Sequence, residues 1–240
     1  MNSVVILHKK TKDGGESLRF AIRSWQKHYP ELAKIAVVGD KEDWFSDNIL
    51  YIPCDMGSND MLNTVNAVKE VVAHEEIPCE FILVGDNLFL LNRVATMHIV
   101  IPKFERHLLP VFTNPSSAGS LNKVMVARVD NMPVLTQMPV MLEKDEIVSV
   151  LENCPELGQG QALLQPVYFK DFPFMPVVVD WKHDNWAVPV VSDKPVSSGL
   201  DKYLRSKFFL YHLDKGWCRE LKDKLAELFP EPSPYEQTDS

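Results

Sequence analysis

The stretch Glu80–Leu91, EFILVGDNLFLL, constrains this chain more than any other. Phe81, Ile82, Leu83 and Val84 form an unbroken apolar run bounded by a glycine. A run that short and that uniformly apolar reads as a strand buried on both faces, as the centre of a parallel sheet requires. It stops at Gly85-Asp86-Asn87 and turns apolar again at Leu88. An acid at the carboxyl end of a central strand stands where open α/β sheets bind their ligands, although Gly, Asp and Asn also begin ordinary turns.

The segments before it fit the same sheet. Ser3–Leu7 reads as a first buried strand, Lys34–Val38 as a second and Ile49–Ile52 as a third. Between the first two, Leu18, Ala21, Ile22 and Trp25 fall on one helical stripe. Asp13 and Glu16 have capping-box spacing at its start, and Pro30 ends it. Arg19 and Arg23 share a face beside that stripe. A second helix carries Met61, Val65, Val68 and Val72, with Asn59 or Asp60 as its cap and with Asn63 and Asn66 turned away from its apolar line. Strand, helix, strand, strand, helix, strand is an α/β pattern, with a mixed, largely parallel sheet flanked by helices. Asp40, Asp55 and Asp86 each follow a strand, so the three acids are expected around one crevice at the sheet edge.

Beyond Asn92 the pattern blurs. Residues 93–140 contain five prolines and no clear period, and read as loops with short strands, including Lys123–Arg128. Glu143–Leu151 reads as a short helix, Val177–Val179 as a strand and Lys215–Leu228 as the last helix. After the strand comes Asp180-Trp181-Lys182-His183-Asp184-Asn185-Trp186; if extended, it places Asp180, Lys182 and Asp184 on one face.

A net charge of -8 excludes a general nucleic-acid or anionic-membrane binder, because phosphate backbones need clustered Lys and Arg. Cys54, Cys79, Cys154 and Cys218 form no CxxC pair, and read as free thiols in a reducing compartment. The absence of a basic-then-apolar leader and of any stretch near ~18 apolar residues predicts a cytoplasmic chain with no transmembrane segment. His8, His28, His74, His98, His107 and His212 have no metal-ligand spacing and read as structural or exposed.

In their order, these pieces resemble a family of bacterial and phage nucleotide-sugar glycosyltransferases of the GT-A fold, and more distantly the sugar-phosphate transferases called stealth proteins. The resemblance rests on Glu16-Ser17-Leu18-Arg19-Phe20-Ala21-Ile22-Arg23-Ser24, on Val38-Gly39-Asp40 with Trp44 following, and on Ile52-Pro53-Cys54-Asp55 with the Asn63 helix after it. It continues in Phe81-Ile82-Leu83-Val84-Gly85-Asp86-Asn87-Leu88-Phe89 and in the closing Leu228-Phe229-Pro230-Glu231-Pro232-Ser233-Pro234-Tyr235-Glu236. It is good over residues 1–92, thin over 93–175 and moderate at the C-terminus. The family places paired acids and a histidine after the central strand; this chain keeps Asp86 and has Asn87 and Leu88 in the other places. Where the family tends to have a His before a Pro, the chain reads Gln137-Met138-Pro139.

The resemblance implies one GT-A-like domain over residues 1–230, with 1–92 as the nucleotide-binding half and 93–230 as the acceptor side. A tail at 231–240 would fray in part. It implies transfer of a sugar from a nucleotide-sugar donor to a glycan or other polymer acceptor. Such chemistry commonly uses a divalent cation, Mn or Mg, on the departing diphosphate. Asp86 and Asn87 are then the candidate metal ligands. Arg19, Arg23 and Lys182 are candidates for the diphosphate, Asp40 and Asp55 for ribose or base, and Asn63 for the nucleotide. Asp180 or Asp184 would be the base that takes the acceptor proton, with His183 a weaker choice. The alternative is a catalytically degenerate relative that binds a nucleotide or glycan, or acts as an interaction module. A nucleotidyltransferase would need a Gly- and Lys-rich loop after the first strand, which His8–Gly15 partly resembles.

Overall fold

The structure, a computed structural model, describes residues 1–100, 103–105, 138–171, 177–179, 186–190 and 200–237. Its centre is a five-stranded sheet in the order β3 (Leu50–Pro53), β2 (Leu32–Gly39), β1 (Asn2–His8), β4 (Glu80–Gly85), β7 (Val140–Glu143). β1 to β4 run parallel and β7 is antiparallel to β4. This is the mixed, largely parallel α/β sheet expected. Each inner strand is apolar on both faces because helices cover both. Val4 and Ile6 face α1 (Glu16–His28), where Leu18, Ile22 and Trp25 are fully buried against them. Val5 and Leu83 face the other way, onto α2 (Asp60–Ala73), α4 (Lys144–Asn153), α5 (Pro155–Gly158) and α6 (Leu164–Asp171). α3 (Met97–Val100) is a single turn.

A second sheet packs on the far side of α1. Its order is β5 (Leu88–Leu90), β10 (Phe209–His212), β9 (Ala187–Val190). Phe20 and Ala21 meet Phe89 and Leu210 there, closed over by Leu221 and Leu225 of α8 (Arg219–Leu228). A small parallel pair joins β6 (Lys103–Glu105) to β8 (Val177–Val179), and α7 (Leu200–Ser206) precedes β10. The expected strand at 123–128 lies outside the described residues.

Local expectations failed where a tertiary partner intervened. Asp13 does not cap α1. The N-cap is Gly15, left-handed at φ 72 with no side-chain cap, while Asp13 accepts hydrogen bonds from Thr11, Gly15 and the Trp217 indole. The last helix starts at Arg219, because Asp214–Gly216 form a separate 3-10 turn. Asn63 is not turned outward: it is buried and its Nδ2 donates to Gly57 O at 2.9 Å, fastening the loop before α2. The tail is docked through Gln237, with Ser46 N on Tyr235 O and Gln237 N on Trp44 O.

Candidate functional site

Chain order along the sheet reverses at one place. From β1 the chain moves outward through β2 and β3, then returns to lay β4 on the other side of β1. In open α/β sheets the carboxyl ends of the strands flanking such a reversal border the ligand crevice. Here those ends are His8 and Asp86. Register brings them together: Leu7 pairs with Gly85 and His8 with Gly39, and Asp86 N donates to Leu7 O at 3.2 Å. Gly39 is obligatory at this corner, with φ 125 and a notional Cβ only 2.0 Å from His8 O.

The His8 ring is 1% exposed and lies between two carboxylates. Nδ1 is 2.7 Å from Asp86 Oδ2 and Nε2 is 3.0 Å from Glu42 Oε1. An ionised carboxylate only accepts, so with both acids ionised each ring nitrogen donates and His8 is the protonated imidazolium. Burial alone would lower its pKa; the hydrogen bond and charge of Asp86, then those of Glu42, outweigh burial and hold it above the usual histidine value. Lys10 Nζ stands 3.8 Å from the other Glu42 oxygen. Glu42 itself is buried against Gly15, whose notional Cβ would sit 2.8 Å from Glu42 Cγ. On the far side, Ser17 Oγ donates to Asp86 O at 2.9 Å and lies 2.9 Å from His212 Nε2. One polar chain thus ties together the ends of β1, β2, β4 and β10 and the start of α1.

On the α2 face of the same switch point lies a cleft of ≈ 220 Å³, lined by Leu7, Leu83, Gly85, Met61, Leu164 and Gln165 among others. A larger groove of ≈ 510 Å³ runs beyond β2 past Glu42, Asp43 and Asp47, away from the reversal.

The sequence-selected residues divide accordingly. Asp86 is central. Asp40 borders the crevice, and its Oδ2 accepts from Lys10 N at 2.7 Å. Asp55 is exposed after edge strand β3, two strands from the reversal. Arg19 lies over the Trp44 ring at 4.7 Å, with no hydrogen bond or ion pair to the described residues. Arg23 is committed elsewhere: it forks onto Glu236 at 2.7 and 2.6 Å and donates to Phe229 O, clamping the tail. Asp180, Lys182 and Asp184, with His183 and Gln137, lie outside the described residues.

Asp86 Oδ2 lies 2.7 Å from His8 Nδ1 and Asn87 Nδ2 donates to His212 O at 2.8 Å, so a divalent cation here would have to take the other Asp86 oxygen and the Asn87 carbonyl oxygen. Among the described residues, the metal-like group of three ligands is Cys79, Glu143 and Asp145, at the opposite end of β4.

Sequence reasoning missed His8, Glu42, Ser17 and Gln165. His8 had a readable signal, because it ends a buried strand just as Asp86 follows one. Glu42 had none, since an acid two residues beyond a strand is normally solvated.

No family model and no curated protein matches the sequence. Solved structures similar to it include two of the glycosyltransferase GlyE of Streptococcus pneumoniae TIGR4, one described as the apo form. They are 12% and 11% identical, each with a TM-score of 0.49 and each covering 96% of this chain. The chain spans only 60% and 61% of their length. A likeness at this level assigns no chemistry. Among the described residues, no helix is long and apolar enough to cross a membrane.

Proposed function

We propose that the chain is a glycosyltransferase of the GT-A type that takes a sugar from a nucleotide-sugar donor and passes it to a glycan or other polymer acceptor. The observation that carries this reading is the switch-point crevice. An acid ends the central strand, with a cleft beside it, where a doubly wound sheet binds its ligand, and Arg19 stands on the adjoining helix with no hydrogen bond or ion pair to the described residues. The ordered sequence resemblance supports the same reading and supplies the reaction class.

Within it, His8 holds Asp86 in one orientation at the crevice, and Asp40 stands one strand away to accept from ribose. Arg19, already stacked on Trp44, turns its free donors to the diphosphate, and a guanidinium there meets two phosphate oxygens at once. Lys182 adds a second charge, and Asp180 or Asp184 takes the proton of the acceptor hydroxyl. The reading places the chain in the cytoplasm, where thiols stay reduced.

A thermal-shift screen against UDP-, GDP-, CMP- and dTDP-sugars, with and without manganese, tests the reading. A donor at a hundred times its Kd stabilises by about 2.7 kcal/mol, which raises Tm by roughly 5–10 °C in a chain of this size. The expected result is a shift with one nucleotide that disappears in Asp86→Ala. No shift with any donor transfers the weight to a degenerate relative that serves as an interaction module.

A further inference from the structure

Gln165, the second residue of α6, is 8% exposed, and its Oε1 is buried with no hydrogen-bond partner. No hydrogen bond joins any part of its amide to the described residues. Folded proteins pair nearly all such groups, so an orphaned carboxamide calls for a partner the chain does not supply. Gln165 also lines the cleft at the β1/β4 reversal.

The other walls say what that partner is. Leu7, Met61, Leu83, Val84 and Leu164 make the cleft largely apolar. A pyranose carries a hydroxyl on nearly every carbon and would leave most of them unpaired there. An anion is also disfavoured, although the cleft lies at the N-terminus of α2. The Asn59 carboxamide already accepts from Met61 N and Leu62 N at 3.1 and 3.2 Å, and Asp60 adds a negative charge to the lining. The Thr64 hydroxyl is turned back onto Asp60 O at 3.0 Å. Asp60 and Thr64 leave only acceptor oxygens to a ligand, whereas Gln165 offers an acceptor and two donors side by side. At ≈ 220 Å³ the space is smaller than the ~300–1,000 Å³ of a pocket for a whole ligand, so it houses one ring of a larger molecule.

We propose that this cleft binds a nucleobase, a flat uncharged ring whose adjacent donor and acceptor pair with the Gln165 carboxamide between the apolar walls of β1, β4 and α2. The proposal rests on the nucleotide-sugar reading and specifies where the donor's base goes. Carboxamides read base edges elsewhere by the same two-point contact. Lys9, whose Nζ donates to Gly57 O at 2.7 Å, and Lys10 follow β1 directly.

Titration of the ¹⁵N-labelled full chain with uridine, cytidine, thymidine, guanosine and adenosine separates base from phosphate. Ribose 5-phosphate and pyrophosphate serve as controls. The Gln165 side-chain NH2 signals are identified by their loss in Gln165→Leu. The expected result is that one nucleoside moves these signals, and that its Kd and that of its diphosphate both weaken at least tenfold in Gln165→Leu. Gln165→Glu, which keeps the shape but loses the donors, should weaken both as well if the leucine variant does not fold. Equal nucleotide affinity in wild type and variants overturns the cleft assignment and leaves the donor reading standing. Movement of the Gln165 signals by pyrophosphate alone overturns it in favour of an anion site. Failure of every nucleoside and nucleotide to bind the wild type overturns both.

Discussion

Replacing His8 with leucine tests the charged cluster directly. His8 is the cation between two acids, and Glu42 is nearly as buried, with side-chain exposures of 1% and 3%. Without the imidazolium, the one cation that Glu42 keeps among the described residues is the Lys10 ammonium, 3.8 Å away and half exposed. Removing one partner of a buried ion pair costs about 3–5 kcal/mol, because the other charge stays buried and uncompensated. Asp86 has more access to water and relaxes more cheaply, so the lower end, about 3 kcal/mol, is expected. With a urea m value of roughly 2–3 kcal/mol/M, the unfolding midpoint falls by about 1–1.5 M. The sign of the pH dependence follows from His8 being held above its usual pKa. Its stabilisation is fully present below the unfolded value, about 6.5, and is lost as pH rises through the folded value. Urea unfolding of wild type and His8→Leu at pH 6.0 and pH 9.5 should therefore show a gap that narrows at the higher pH. A gap under about 1 kcal/mol at pH 6.0, or one of the same size at both pH values, would refute the doubly paired imidazolium.

Three further outcomes follow from the same geometry. Arg23→Ala should expose the tail to proteolysis after Phe229 and cost about 3 kcal/mol, since Glu236 is buried against that guanidinium. Burial would raise the Glu236 pKa, but hydrogen bonds from Arg23 and Ser233 hold it low, so its contribution is present above the ordinary carboxylate range and lost as pH falls. An acid titration followed by circular dichroism should accordingly show Arg23→Ala unfolding at a higher pH than wild type. Gly15→Ala must adopt φ 72 and press its Cβ into Glu42, so a loss of about 1–3 kcal/mol is expected, seen as a drop in Tm of roughly 3–10 °C. Asn59→Ala removes the cap of α2 and should cost about 1 kcal/mol in urea titration, with the loss of its contact to Gly160 O included.

Much of the architecture was legible because it is written in local periods. The apolar runs at Ser3–Leu7, Lys34–Val38 and Phe81–Val84 became the three inner parallel strands, and the stripe Leu18, Ala21, Ile22, Trp25 became the buried side of α1. Asn59 was readable as a cap because capping depends on residues two and three places on. The site was legible at Asp86 and little further. Arg23 looked like Arg19 on the helix surface, and its capture by Glu236, more than two hundred residues later, has no local signature. Asn63 was misread because helical spacing says which way a side chain points but not which loop folds over it.

By itself the sequence determined the four parallel strands and the helices α1 and α2, that the sheet is buried on both faces, and that an acid ends its central strand. These follow from side-chain polarity at periods of two and 3.6, which a chain carries before it folds. Only the tertiary structure decided that Asp86 faces His8, that Glu42 is buried with them, and that Gln165 is left without a partner among the described residues at the cleft wall. Those facts depend on strand order and register, which bring residues tens to more than a hundred positions apart to within hydrogen-bond distance. Pairings of that kind are set by how whole elements pack, and no short stretch of sequence encodes them.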